Sequence, residues 1–302
     1  MNRNLVPPST ILPRLPVAST RSRLLALTLV ATLAGCGRGG TLLAPLNGAS
    51  SGAPVAHRPA AAAASQASAS ASEINGPTVI TEPGTYRVAQ DFSATGDGIV
   101  IRANDVQLFL GDHTISGPGN KVGRAIVVDG VKNASISGGT LRTFGIGVVL
   151  LGASGSSVRD VTVEGGDETA APPANPPQIG LLLVNSWRNT LTGNELSRVN
   201  LGLFVRGGGS FENRIQQNIV TAGNNGLLGI CYNPAMGEGP AGPTADKVTN
   251  NLLDGFGTGI QTSAGSAANR FTANRIRFLD LAWNDFNGTN VFLGSKTEDL
   301  TP

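Results

Sequence analysis

The chain has 302 residues, of which 41 are Gly, with 40% hydrophobic, 5% aromatic and 14% charged residues. Average globular usage is about 7% Gly and about 25% charged, so glycine is roughly doubled and charge nearly halved, while the apolar share excludes a disordered chain. Collagen is excluded because the glycines keep no three-residue period, and a helix-rich fold because Gly is a poor helix former and Glu and Lys are scarce.

The net charge of +2 comes from one end. Residues 1–35 carry Arg3, Arg14, Arg21 and Arg23 and no acid, so the remainder is 18 − 20 = −2. The basic balance is thus no argument for nucleic-acid binding. Arg21 and Arg23 precede the apolar stretch Leu24–Ala34, which suits a signal h-region of about 7–15 residues and is too short to span a bilayer, which takes about 20. It ends Leu33-Ala34-Gly35-Cys36. This resembles a bacterial lipoprotein signal, which implies a signal peptide over 1–35 and lipidation of Cys36. Gly37 after the cysteine resembles proteins sorted to the outer membrane. The expected localisation is that of an exported lipoprotein, periplasmic or surface-facing.

Residues 36–76 read as a flexible Ala/Ser/Gly/Pro-rich tether that does no chemistry. The second cysteine, Cys231, has no internal partner and reads as a small buried apolar residue. Residues 77–97 are expected to cap a repeat domain over 98–295, and 296–302 to form a tail.

From Gly98 onward, short aliphatic runs preceded by a small residue begin at Gly98, Ala125, Gly147, Gly180, Gly202, Gly226 and Gly259, giving a period near 22 with two insertions of about eleven. A bend position occupied by His113, Gly139, Val161, Asn194, Asn218, Asn251 and Asn274 keeps the same frame. Apolar residues stand three before it (Leu110, Ile136, Val158, Leu191, Ile215, Val248, Phe271) and two after it (Ile115, Leu141, Val163, Leu196, Val220, Leu253, Ile276). Each repeat supplies three short strands with alternating inward aliphatics. The four successive asparagines are expected to take the left-handed conformation of a sharp bend and to stack their amides from rung to rung. A leucine-rich-repeat solenoid lacks its consensus here, and a β-sandwich would not hold a fixed period.

The run Gly84–Gly119 and repeats such as WRNTLTGNELSRVNLGLFV (Trp187–Val205) are similar to the right-handed parallel β-helix proteins of the pectin-lyase-like superfamily. The resemblance implies an all-β solenoid of about seven to eight rungs and a protein that binds or modifies a cell-envelope or extracellular polysaccharide. It does not fix a reaction, because the superfamily hosts many.

The residues leave both catalysis and binding open. No Asp-Asp pair, Gly-His-Gly or Asp-Pro-His-Asp occurs, and no carboxylate cluster has calcium-ligand spacing, so no metal or cofactor is expected. Histidine chemistry is disfavoured, since His57 lies in the tether and His113 at a bend. Arg142, Glu164 and Glu195 fall on outward positions of three consecutive rungs, with the two glutamates about 8 Å apart from rung spacing. That separation suits an inverting glycosidase, with Arg142 beside a uronate. The opposing expectation is a row of solvated salt bridges.

On the preceding strand the outward residues Val100, Val127, Val149, Leu182, Phe204 and Leu228 are apolar, a stripe that something should cover. The candidates are the insertions Asp167–Pro177 and Tyr232–Thr244 or a second protomer, hence a homo-oligomer through this face. Trp187, Tyr232, Trp283 and Phe286 are the aromatics placed to stack on sugar rings. The partner expected is a polysaccharide, possibly acidic; the membrane enters only through the lipid anchor, and nucleic acid does not. The alternative is a non-catalytic surface or periplasmic protein that uses the solenoid for protein contacts.

Overall fold

The structure is a computed structural model that describes residues 71–119, 122–166, 177–233, 241–286 and 288–301. The signal segment, Cys36, His57, nearly all of the tether and most of both insertions lie outside the described residues.

No helix occurs among the described residues; short strands pair in parallel with the next copy of themselves one repeat on. Three sheets result. Sheet A stacks Thr78–Ile80, Ile99–Ile101, Arg124–Asp129, Ile146–Leu151, Ile179–Val184, Leu201–Arg206 and Leu228–Asn233, and then the ends of Leu252–Thr262 and Arg275–Asp285. Sheet B runs from Ser72–Ile74 through Ser157–Arg159, Thr190–Thr192, Arg214–Gln216, Lys247–Thr249 and Arg270–Thr272 to Val291–Leu293. Sheet C runs from Phe92–Ser93 through Thr162–Glu164, Glu195–Val199 and Ile219–Ala222 to Lys296–Asp299.

The core sits where the sheets face one another. Period-2 alternation turns one aliphatic per rung inward, so Ile126, Val148, Leu181, Leu203, Ile230 and Ile260 form one fully buried column of sheet A. The fourteen apolar positions flanking the bend are all buried. Their register needs one correction. Leu108 rather than Leu110 lies opposite Ile136, because two irregularities between Phe109 and Thr114 take up the extra residues.

Sheet A strands carry a glycine near their start, second in four of them, because successive rungs touch there. A Cβ on Gly147, Gly180, Gly202, Gly229 or Gly259 would lie 2.4–2.7 Å from a carbonyl oxygen of the next rung. Gly229, not Gly226, therefore belongs to this column, which shifts that repeat by three residues.

The asparagine ladder at the bend between sheets B and C is present. Asn218 Oδ1 accepts from the Asn194 backbone N–H (3.0 Å) and Nδ2 (2.9 Å), and its own Nδ2 donates to Leu191 O (3.1 Å) and Asn251 Oδ1 (2.9 Å). The expected left-handed backbone belongs to a different residue. Positive φ falls on Asp160, Gly193, Gln217, Asn250 and Ala273, each one position before the ladder residue. The asparagines are there for their amides. A second ladder stands five residues earlier in each repeat: Asn189, Asn213, Asp246, Asn269 and Asn290 bond successively through backbone N–H to the next side-chain oxygen.

The solenoid is longer than expected at both ends. Ser72–Ile74, inside the expected tether, pairs with Gly84–Val88, and Lys296–Asp299, the expected tail, pairs with Arg275–Phe278. The segment 77–97 is a regular rung rather than a distinct cap, since Ile80 and Val88 point into the core as later repeats do. Sheet A thus has nine levels among the described residues, against seven to eight expected.

Candidate functional site

The outer face of sheet C holds the three residues picked out as a catalytic set. Two of them meet. Glu164 lies opposite Arg142 in register and pairs with it at 3.0 Å. Arg198, which has positive φ where sheet C bends toward sheet A, reaches back to Glu164 at 3.1 Å. Glu195 does not join them: it lies opposite Thr162, two positions from Glu164, is exposed and makes no ion pair among the described residues. Glu164 is thus held from both sides by guanidiniums, with its oxygens engaged in ion pairs. Further along, Arg277 pairs with Asp254 at 2.9 Å and with Glu298 at 3.2 Å. Glu195 apart, this face is a ladder of compensated charge.

The outer face of sheet A corrects the expected apolar stripe. The register aligns Val127, Val149, Leu182, Phe204 and Cys231, so Cys231 and not Leu228 continues the column. All five are buried within the single chain, while Val100, opposite Val127 on the preceding rung, is half-buried. Tyr232 is fully buried in the core and cannot meet a sugar. Trp283 stacks on Phe292 at the last rung (5.4 Å), and Trp187 stacks on Phe211 at the corner leading into sheet B (5.9 Å). At the first rungs Asp91 accepts from the Thr114 N–H and faces His113, and those contacts hold its carboxyl below the usual range.

Sheet B presents a different surface. Arg214, Lys247 and Arg270 stand opposite one another on three consecutive rungs. All three are exposed, and none has an ion-pair partner among the described residues. At the rung spacing of about 4.8 Å the row is about 10 Å long. Beside it run Gln216 and Thr249, uncharged donors and acceptors in the same register, followed by Thr272, whose hydroxyl is buried. The stacked Trp187 and Phe211 lie three residues upstream of Thr190 and Arg214. Among the described residues no group of His, Cys, Asp or Glu is arranged to hold a metal ion, and no helix is long and apolar enough to cross a membrane.

A family model described as a right-handed beta helix region matches residues 90–235. With three parallel sheets coiled rung on rung, that decides the architecture. The chain is a right-handed parallel β-helix. Among solved structures, the alginate lyase from Paenibacillus sp. str. FPU-7 is similar over 70% of this chain and 96% of that one, at 14% identity and a TM-score of 0.44. No curated protein matches. The family model and the parallel pairing of the strands bear out the β-helix repeat expected from the sequence.

The cationic row was missed because the outward positions considered were those after the bend. The signal was present: Arg214, Lys247 and Arg270 each stand four residues before Asn218, Asn251 and Asn274. Arg198 was missed because it lies at a corner, where strand alternation does not say which way a side chain turns.

Proposed function

We propose that this protein is an exported, lipid-anchored β-helix that binds an acidic polysaccharide along sheet B without cleaving it. The observation that carries this reading is the unpaired row Arg214–Lys247–Arg270, one cation per rung. Like charges in register repel, while sheet C, built from the same repeat, pairs its arginines Arg142, Arg198 and Arg277 with acids. A linear polymer with one carboxylate for each sugar or every second sugar would relieve that repulsion along the whole row. Gln216 and Thr249 would meet its hydroxyls, and the Trp187–Phe211 stack a sugar face.

The non-catalytic half of the proposal rests on Glu164, held between two arginines while Glu195 stands apart. The anchor is proposed from Cys36 and its preceding apolar stretch alone. Removing that thiol (Cys36→Ala) is expected to move the protein from the membrane to the soluble fraction.

Affinity gels or calorimetry of the full chain with polygalacturonate, alginate and neutral dextran test the main reading. Each carboxylate–cation contact at about 4 Å in water contributes about 1 kcal/mol. The triple variant R214Q/K247Q/R270Q should therefore lose about 3 kcal/mol, roughly 100-fold in affinity, and most of the salt dependence. Equal binding of dextran, or full retention of affinity by the triple variant, sinks the proposal. Release of reducing ends or unsaturated sugars would overturn its non-catalytic half.

A further inference from the structure

The second ladder contains one residue that does not fit it. Asn189, Asn213 and Asn269 each spend one Nδ2 hydrogen on a backbone carbonyl (Ala153, Ser186 and Pro243, all at 3.0 Å). Asn189 and Asn269 give the other to the next Oδ1, at 3.2 and 2.9 Å. Asn213 Oδ1 and Asn290 Oδ1 thus each receive two donors, a backbone N–H and an amide. At 246 the chain has Asp, fully buried, with no amide to offer. Its Oδ1 accepts from Asn213 N (2.7 Å) and Nδ2 (3.2 Å), as the ladder requires. Its Oδ2 occupies the place where the other rungs have Nδ2. Asn269 Oδ1 then receives only the Asp246 backbone N–H, at 3.0 Å. An ionised Oδ2 would hold a negative charge in a dry core with one long contact to a donor, Asn213 Nδ2 at 3.4 Å, a costly arrangement.

We propose that Asp246 carries a proton in the folded protein, its Oδ2–H standing in for the missing amide hydrogen toward Asn269, and that loss of this proton weakens the rung that presents Lys247. The donors that face the carboxyl are the Asn213 N–H and Nδ2 and, beyond ordinary hydrogen-bond length, the Tyr232 hydroxyl, with no cation among them. Asn213 and Asn269 on the adjoining rungs are uncharged, and Lys247, next in the chain, points to solvent. The titratable neighbour is Tyr232 from sheet A, fully buried, whose hydroxyl makes no hydrogen bond of ordinary length. Burial raises the Tyr232 phenol well above its usual range, with the Asp246 charge adding to it, so it stays neutral and adds no second negative charge. Burial likewise raises the Asp246 carboxyl to about 7, against the lowering effect of the Asn213 N–H and the Tyr232 hydroxyl.

The sign follows from linkage. A carboxyl whose folded pKa is raised stabilises the fold fully below its unfolded pKa near 3.8, and that stability is lost as pH rises through about 7. This proposal does not depend on the glycan-binding reading, and its readouts involve no ligand. The full chain should lose roughly 5–10 °C of melting temperature between pH 5 and pH 8, and D246N, which restores the amide, should lose much less and melt higher at pH 8. In the wild-type protein at pH 6, pH-difference infrared spectra should show a protonated carboxyl C=O stretch. Y232F should steepen the pH dependence by removing a donor to the ionised form. A D246N profile parallel to wild type, or no protonated carboxyl band at pH 6, overturns the proposal.

Discussion

Substituting Asn218 by Ala tests the ladder where it is most enclosed. The side chain makes four hydrogen bonds of 2.9–3.1 Å and is about 1% exposed. Its removal leaves the Asn194 backbone N–H without that partner and strips one Nδ2 bond from Asn194, which keeps its other to Val158 O at 3.0 Å. Leu191 O loses a donor, and Asn251 Oδ1 keeps only the residue-218 backbone N–H at 2.9 Å. A buried group left unpaired costs about 1–3 kcal/mol and a lost but tolerated bond about 1, so the sum is about 4–6 kcal/mol. Asn133→Ala is the control, since Asn133 makes one exposed bond to Asp105 at 2.9 Å and, with a φ of 59°, should cost about 1 kcal/mol, mostly through its left-handed backbone. Denaturant unfolding followed by circular dichroism measures both. In a solenoid each rung contacts only its neighbours, so hydrogen exchange should show the loss concentrated in the rungs around 194–251. A cost below about 1.5 kcal/mol for Asn218→Ala, or one equal to that of Asn133→Ala, would refute the claim that the amide column holds the bend.

Gly202→Ala places a Cβ 2.3 Å from Val220 Cγ1 and 2.4 Å from Gly229 O, where backbone cannot yield. The expected destabilisation is about 3 kcal/mol or more, whereas Gly76→Ala, with nothing within 4 Å, should leave the melting temperature unchanged. Glu164→Gln breaks two ion pairs whose arginine side chains are about half exposed. It should change stability by under about 1 kcal/mol and leave polyuronate affinity as in wild type; a large loss of binding would move the ligand face to sheet C. Affinity of the wild-type protein for polygalacturonate should fall steeply as salt rises from 50 to 300 mM, because exposed charges are screened over about 8–10 Å, and a flat salt profile would argue against the cationic row.

What could be read from the sequence is what repeats. Leu191, Ile215, Val248 and Phe271 recur in one frame because a column in the core accepts only apolar side chains, and that constraint fixed the three sheets and the first asparagine ladder. Backbone conformation was less legible. Asn194 looked like the left-handed residue, but Gly193, Gln217, Asn250 and Ala273 occupy that position with no common side chain, because a peptide bend needs φ rather than a particular residue. The second ladder was hidden by its Asp: Asn189, Asn213, Asp246 and Asn269 look irregular until the shared Oδ1 acceptor is recognised. The stripe of sheet A went astray by register. Three extra residues before Gly229 exchanged Leu228 for Cys231, and its burial in one chain depends on the tertiary arrangement, which strand alternation does not encode.

The two charged faces bear on function because the core beneath them is the same. Every rung satisfies its backbone through its neighbours and its inward side chains through the aliphatic columns, so an outward position can change without cost to the fold. On sheet C that freedom is used conservatively: Arg142, Glu164 and Arg198 alternate in sign and hold one another. On sheet B three cations of one sign lie in register at about 5 Å, where each adjacent pair in water repels by about 0.8 kcal/mol. Nothing in packing requires that choice, since Thr190 occupies the same column one rung earlier and leaves Leu191 as well buried. A column that raises the energy of the free protein and is not needed by its core gains its physical sense from what it binds, and a row of cations about 10 Å long has its complement in an anionic chain laid along the solenoid axis.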